Sequence, residues 1–303
     1  LWAQFDFLMP GFLGDSVAFK KLYRTPIETF GNAEQKTRLS RRIAPFMLRR
    51  TKLEVASELP AKTEIIRSVP LYEKQAALYE SIRLTMESKV RDAIAERGLS
   101  RSHITILDAL LKLRQTCCDP RTLPLEQAQK VNQSAKLDLL MELVPELLEE
   151  GRKILIFSQF TRMIALIEDE LIKRMIAYSK LTGQTQDRDA AIQLFKSGEV
   201  DVFLISLKAG GIGLNLTEAD TVIIYDPWWN PAVETQAADR AHRIGQDKPV
   251  FVYKLITENT VEEKMIAMQD RKRALAESIY TDGSKEEALQ LTAEDLTALF
   301  EPL

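Results

Sequence analysis

The chain has 303 residues, 45% hydrophobic and 28% charged, with a net charge of −3. That balance suits a globular protein of one large or two ordinary domains and sets aside nucleic-acid binding through bulk positive charge. No stretch approaches the ~18 consecutive apolar residues of a membrane helix, and the opening LWAQFDFLMPGFLGD lacks the basic start of a secretory signal.

Residues 1–150 read as mostly helical, without a clear strand set. Between Lys20 and Lys52 ten Lys or Arg stand against Glu28 and Glu34. Such an excess fits a localised anion-binding surface or a solvated helix face. YEKQAALYESIRLTMESKVRDAIAERG (72–98) is a long amphipathic helix candidate stopped near Gly98. HITILDALLKLRQTCCDP (103–120) is a second, stopped by Pro120, and RTLPLEQAQKVNQ (121–133) reads as a loop. SAKLDLLMELVPELLEEG (134–151) starts at a Ser N-cap and ends at Gly151, with Pro145 expected to kink or divide it. Cys117 and Cys118 are adjacent, a poor pair for a disulfide, and with two distant histidines a poor metal set. They point to a reducing, intracellular setting.

From about Lys153 to Leu255 the pattern changes. KILIF (153–157), VDVFLIS (200–206), TVIIYD (221–226) and VFVYKL (250–255) are nearly continuous apolar runs, as expected of strands buried on both faces. Helical patterns at 162–175, at 188–198 and over ETQAADRAHRIGQ (234–246) lie between them. The alternation predicts an α/β fold with a parallel sheet flanked by helices. Ligands meet such sheets at the carboxyl ends of the strands, here SQF (158–160), SLKAGGIGLN (206–215) and DPWWNP (226–231). VEEKMIAMQDRKRALAESIY (261–280) is a charged helix with apolar Met265, Met268, Leu275 and Ile279. The final LTAEDLTALF carries a capping pattern at Thr292 and Asp295.

Motifs for a self-contained active site are missing: no GxxxxGK[ST] loop occurs, and no strand ends in the adjacent acids that hold Mg²⁺. His103 and His242 alone give little support to hydrolytic metal or Ser/His chemistry. In a helical ETQAADRAHRIGQ, Gln236, Arg240 and Arg243 follow i, i+4, i+7 and share a face. Two guanidinium forks on one face suit phosphate or carboxylate. The alternative is a helix whose arginines pair with Asp239 and Asp226.

The surrounding residues weigh on that choice. SLKAGGIGLNLTEADTVIIYDPWWNPAVETQAADRAHRIGQDKPVFVYKLITENTVEEKM resembles motifs V and VI of the second RecA-like lobe of Swi/Snf helicase-like ATPases. KILIFSQF is similar to motif IV, and LTGQTQDRDAAIQLF to the block after it. LKLRQTCCDP and PFMLRRTK resemble blocks specific to this family, and LWAQFDFLMPGFLGD the end of the first lobe. The resemblance implies a double-stranded-DNA translocase whose first lobe, with the nucleotide loop and acidic Mg²⁺ box, lies outside this chain. ATP and Mg²⁺ are the implied cofactors, neither held tightly by this piece. The implied division is 1–60 as a segment leading from the first lobe, with a basic LRRTK block, and 61–133 as a helical insertion. The second RecA-like lobe would span 134–260, and a C-terminal brace helix with an acidic tail 261–303.

Residue by residue, the resemblance makes Arg240 and Arg243 paired arginine fingers and Gln236 the opening glutamine of motif VI. Gly211 and Gly213 would let backbone approach nucleotide or DNA. Ser206, Lys208 and Asn215 would link DNA contact to nucleotide state. Ser158, Gln159, Thr182, Gly183 and Arg188 would lie along the DNA backbone, where hydroxyls, amides and N–H groups contact phosphate without reading sequence. Arg49 and Arg50 would contact DNA or bridge the lobes. Trp228 and Trp229 read as packing residues, Arg114 and Gln115 as structural, and His242 as orienting or packing. Double-stranded DNA, the first lobe and a protein substrate on DNA are the implied partners, with no membrane. The implied location is the cytoplasm of a prokaryote, associated with the nucleoid, or the nucleus of a eukaryote. The competing functions are a degenerate nucleic-acid-binding scaffold and a strand-separating helicase.

Overall fold

The structure, a computed structural model, describes residues 1–30, 32–47, 59–209, 213–227, 231–280 and 298–300. Arg49, Arg50, Gly211, Trp228, Trp229, Thr292 and Asp295 lie outside the described residues. The chain divides into two units, Leu1–Ser57 with Ala274–Gln290, and Glu58–Arg273 with Leu291–Leu303. In the first unit, helices α1 (Trp2–Leu8), α2 (Ser16–Phe19), α3 (Thr25–Phe30) and α4 (Ala33–Ile43) gather around Phe5, Leu13, Tyr23 and Leu39. Asp15 and Asn32 cap α2 and α4 by accepting backbone N–H bonds.

The second unit is built on a six-stranded, wholly parallel sheet. Its strands are β1 (Lys62–Val69), β2 (Ile154–Ser158), β3 (Tyr178–Leu181), β4 (Val202–Ser206), β5 (Thr221–Ile224) and β6 (Val250–Thr257), in the order β1-β6-β5-β2-β4-β3. Alternate residues of the inner strands serve opposite faces. Ile154, Ile156, Val202, Leu204 and Ile223 pack with α8 (Ala135–Glu149) and α9 (Thr161–Lys173). Leu155, Phe157, Phe203, Ile205 and Val222 pack with α10 (Arg188–Lys196) and α11 (Pro231–Ala238). Burial on both faces explains the unbroken apolar runs. The predicted α/β architecture is thereby observed.

Both edge strands escape the sequence reading. β1 lies in the region expected to have no strands, and β3 between two expected helices. β1 carries Lys62, Glu64 and Arg67 and is largely exposed, while β3 alternates half-buried and buried residues. Edge strands tolerate polar residues, so they lack the signature of the interior strands.

A helical hairpin of α5 (Glu73–Arg97) and α6 (His103–Cys118) forms a second core around Leu78, Tyr79, Ile82, Leu110 and Leu113. Val261 and Met265 of α12 (Val261–Tyr280) join it, as do Leu299 and Phe300. The segment read as a loop contains one further turn, α7 (Glu126–Gln129). α8 runs unbroken through Pro145, contrary to the expected division. Leu143, Val144 and Leu147 hold it against the sheet core, which offsets the one missing N–H donor. Lys136 of α8 and Glu262 of α12 form a fully buried ion pair, and Lys136 also donates to the Tyr225 carbonyl. Desolvation opposes the Lys136 charge, but Glu262 more than restores it, leaving the ammonium above its ordinary value.

Candidate functional site

The carboxyl ends of β2, β4 and β5 and the turn after α11 carry most of the residues singled out in the sequence. Asp226, just beyond β5, organises part of this edge. Its carboxylate accepts the Gln159 N–H at 3.2 and 3.1 Å and lies 3.5 Å from Arg114 Nη2. Arg114, fully buried on α6, also donates to the carbonyls of Pro227 at 2.9 Å and Asp226 at 3.3 Å. Its guanidinium sits over the Phe160 ring at 5.4 Å. Burial pushes Asp226 up to about 6, opposed by Arg114, the Ser158 hydroxyl and the Gln159 amide. The structural reading of Arg114 gains a specific content: it fixes the backbone leading into Trp228. Asp226 was one of two expected partners for the motif VI arginines, and it belongs to Arg114 instead.

Ser158 and Ser206 are buried. Ser158 Oγ accepts from Phe160 N–H at 3.1 Å, and Ser206 Oγ from Ala209 N–H at 3.2 Å. Both shape their own loops. Thr182 is also mostly buried, and its Oγ1 accepts from Gln184 N–H at 3.2 Å. Gly183 is exposed, with open space where a Cβ would stand. Arg188 Nη2 donates to the Ala209 carbonyl at 2.8 Å, bridging the loops after β3 and β4. Lys208 and Asn215 are exposed and Gln159 is half-buried. Gly213 has φ +46°, a left-handed turn that favours glycine.

The ETQAADRAHRIGQ segment departs from a continuous helix. α11 ends at Ala238, so Gln236 stands on the helix while Arg240 and Arg243 stand on turns beyond it. There the ladder tightens: Arg240 N–H bonds the Ala237 carbonyl, Ala241 N–H that of Ala238, and Arg243 N–H that of Ala241. The cause is tertiary. Gln246 Nε2 donates to the carbonyls of Thr217, Ala219 and Ala241 at 3.1, 2.7 and 3.1 Å, and Leu216 N–H reaches the Arg240 carbonyl at 3.0 Å. The expected shared helix face is therefore not formed, although the two arginines remain close enough to interact. Arg240 is 9% exposed, and its guanidinium has no hydrogen-bonding or ion-pairing partner among the described residues. Burial first, and then Arg243, hold it below its ordinary value, while neighbouring Asp239 favours the charge. Arg243 and Gln236 are exposed.

Sequence reasoning passed over Lys254. From β6 its Nζ reaches Glu64 of β1 at 3.0 Å and Glu234 of α11 at 3.1 Å, with Lys254 and Glu234 both buried. A single lysine in VFVYKL gives no hint of carboxylates so distant in sequence.

A guanidinium with no partner among the described residues, beside a second arginine, can take the phosphates of a nucleotide. Among the described residues no group of three or more His, Cys, Asp or Glu could hold a metal ion.

The comparisons agree with this architecture. The family described as Helicase conserved C-terminal domain matches residues 135–245, and SNF2-related domain matches residues 1–122. A putative ATP-dependent helicase/translocase of Bacillus subtilis, YwqA, is 38% identical over 99% of this chain and 33% of its own length. The human SWI/SNF-related matrix-associated actin-dependent regulator of chromatin, subfamily A member 1, is 35% identical over 99% of this chain and 30% of its own. The chain thus spans about a third of the length of these curated relatives. The Sulfolobus solfataricus SWI2/SNF2 ATPase core solved with double-stranded DNA matches all of this chain and 64% of its own, at 36% identity and a TM-score of 0.64. The C-terminal domain of a Sulfolobus solfataricus SWI2/SNF2 ATPase matches at 31% identity and a TM-score of 0.60, over 80% of this chain and 99% of that one. The chain belongs to the SWI2/SNF2 family of helicase-like ATPases.

Proposed function

We propose that this chain is the arginine-finger half of an ATP-driven translocase on double-stranded DNA. The observation that carries the reading is Arg240, mostly buried beside Arg243 with no partner of its own among the described residues. A partly desolvated guanidinium beside a second one, with only the neighbouring Asp239 to favour its charge, gains when an anion arrives. ATP would be that anion, cradled by a lobe outside this chain that also supplies the lysine and the Mg²⁺ carboxylates. Arg240 and Arg243 would stabilise charge on the transferring γ-phosphoryl group. Gln236 on α11 and the backbone at Gly211 and Gly213 would line the same approach.

Exposed Lys208, Asn215 and Gly183, with half-buried Gln159 and Arg188, would track DNA phosphates. Ser158, Ser206 and Thr182 would act through the shape of their loops, and Arg49 and Arg50 would add positive charge. The duplex bound in the Sulfolobus relative supports DNA as the partner class. ATP turnover would alternately engage and release the arginines, stepping the chain along a duplex backbone.

The test is ATP hydrolysis by the longer protein, with and without double-stranded DNA. Arg240→Ala should cut DNA-stimulated turnover by about 10³-fold or more, and the 303-residue chain alone should be inactive. Turnover by the chain alone that Arg240→Ala abolishes would sink the claim that another lobe is required. Strand displacement at wild-type rates would favour a helicase instead.

A further inference from the structure

The turn that carries the arginines is tied to the beginning of the second unit. His242, between Arg240 and Arg243, places Nε2 2.8 Å from the carbonyl of Pro60. A carbonyl only accepts, so Nε2 carries the proton and donates. One residue later Ala61 accepts the Val250 N–H at 2.9 Å, and β1 then runs in register with β6 from Lys62 and Val250 onward. The buried Lys254 bridge completes the set, joining Glu64 of β1 to Glu234 in the first turn of α11. Burial opposes the Lys254 charge, but the two carboxylates leave it above its ordinary value. Residues 59–64 are thus held at both ends of the segment that runs from α11 through the arginines to β6. Those residues are also where the chain enters this unit from the preceding one.

We infer that His242 is a positioning residue coupling the segment that enters the second unit to Arg240 and Arg243. Movement of Pro60 pulls on the backbone between the arginines through one directional bond, while the Lys254 bridge keeps α11 aligned with β1. The connection between units then sets where the guanidiniums stand. This rests on the proposal that those arginines act on a nucleotide.

The experiment compares His242→Ala and His242→Gln in the longer protein, since a glutamine Nε2 can still donate to the Pro60 carbonyl. His242→Ala should lower kcat of DNA-stimulated ATP hydrolysis by about ten- to a hundredfold, the scale of a misplaced catalytic group, with KM for ATP changed by less than about threefold. His242→Gln should recover most of the loss. Hydrogen exchange, which does not depend on turnover, should show His242→Ala accelerating amides 59–64 and 239–246 together. Wild-type kcat in His242→Ala overturns the inference, as does an equal loss in both variants with exchange altered only around residue 242. If the wild-type protein shows no DNA-stimulated turnover, the functional reading falls. The exchange result then still decides whether the two segments are coupled.

Discussion

Two buried arginines in the second unit have opposite surroundings. Arg114 is fully buried and held by the Asp226 carboxylate, two carbonyls and the face of Phe160. Arg240 is 9% exposed and has no hydrogen-bonding or ion-pairing partner among the described residues, and Arg243 beside it makes its charge harder to keep. The first arrangement commits the Arg114 Nη2 to two carbonyls and a carboxylate of the fold. The second leaves the guanidinium open, as the role proposed for Arg240 requires. Burial alone does not tell a structural arginine from a functional one; the identity of its partners does.

The contrast can be broken by mutation. The largest stability effect belongs to Arg114→Ala, which strands Asp226 in the interior and should cost about 3–5 kcal/mol in chemical denaturation of the chain. A loss below about 1 kcal/mol would place Arg114 with Arg240, outside the structural class.

A middle-sized effect concerns Asp226 itself. Its carboxyl is raised from an ordinary 3.8 to about 6, so folding favours its protonated form. The stability it contributes is complete below pH 3.8 and is lost as pH rises through about 6. Relative to Asp226→Asn, the wild type should lose on the order of 1–3 kcal/mol between about pH 4 and about pH 7. A constant difference would mean that Arg114 offsets the cost of burial fully.

The smallest effect is on Arg240. Arg240→Gln removes no side-chain bond found among the described residues, so the unfolding free energy should stay within about 1 kcal/mol of wild type, shifting if anything upward. Destabilisation beyond about 2 kcal/mol would reveal a structural duty for this arginine.

The interior of the fold was legible because its strands are covered on both faces, and unbroken runs of Val, Ile and Phe rarely occur where one face meets water. Gly98, Ser134 and Gly198 marked helix ends with local chemistry, and the structure uses them: Gly98 and Gly198 adopt φ +75° and +83°, and Ser134 accepts from Leu137 N–H. β1 and β3 were illegible for the complementary reason. At the candidate site, local pattern put Gln236, Arg240 and Arg243 on one helix face, whereas both arginines stand on turns beyond α11. AADRAHR has strong helix propensity, and the Gln246 bonds that end α11 come from a side chain whose role no local rule reveals. The hydroxyls of Ser158 and Ser206 look the same in sequence whether they face a phosphate or their own loop. Arg114 with Asp226, and Lys254 with Glu64 and Glu234, join residues too far apart for periodicity to connect.

β1 has a consequence for how the second unit forms. Lys62 lies opposite Val250, and the intervening chain contains every other strand of the sheet. During synthesis β1 emerges first and waits for β6, its strand partner and the last strand made. Pairing across so long a loop is slow, and a strand left waiting can meet a wrong edge. Lys62, Glu64 and Arg67 make β1 a poor template for that error, so the polarity that hides it from pattern reading also protects it until the sheet can close.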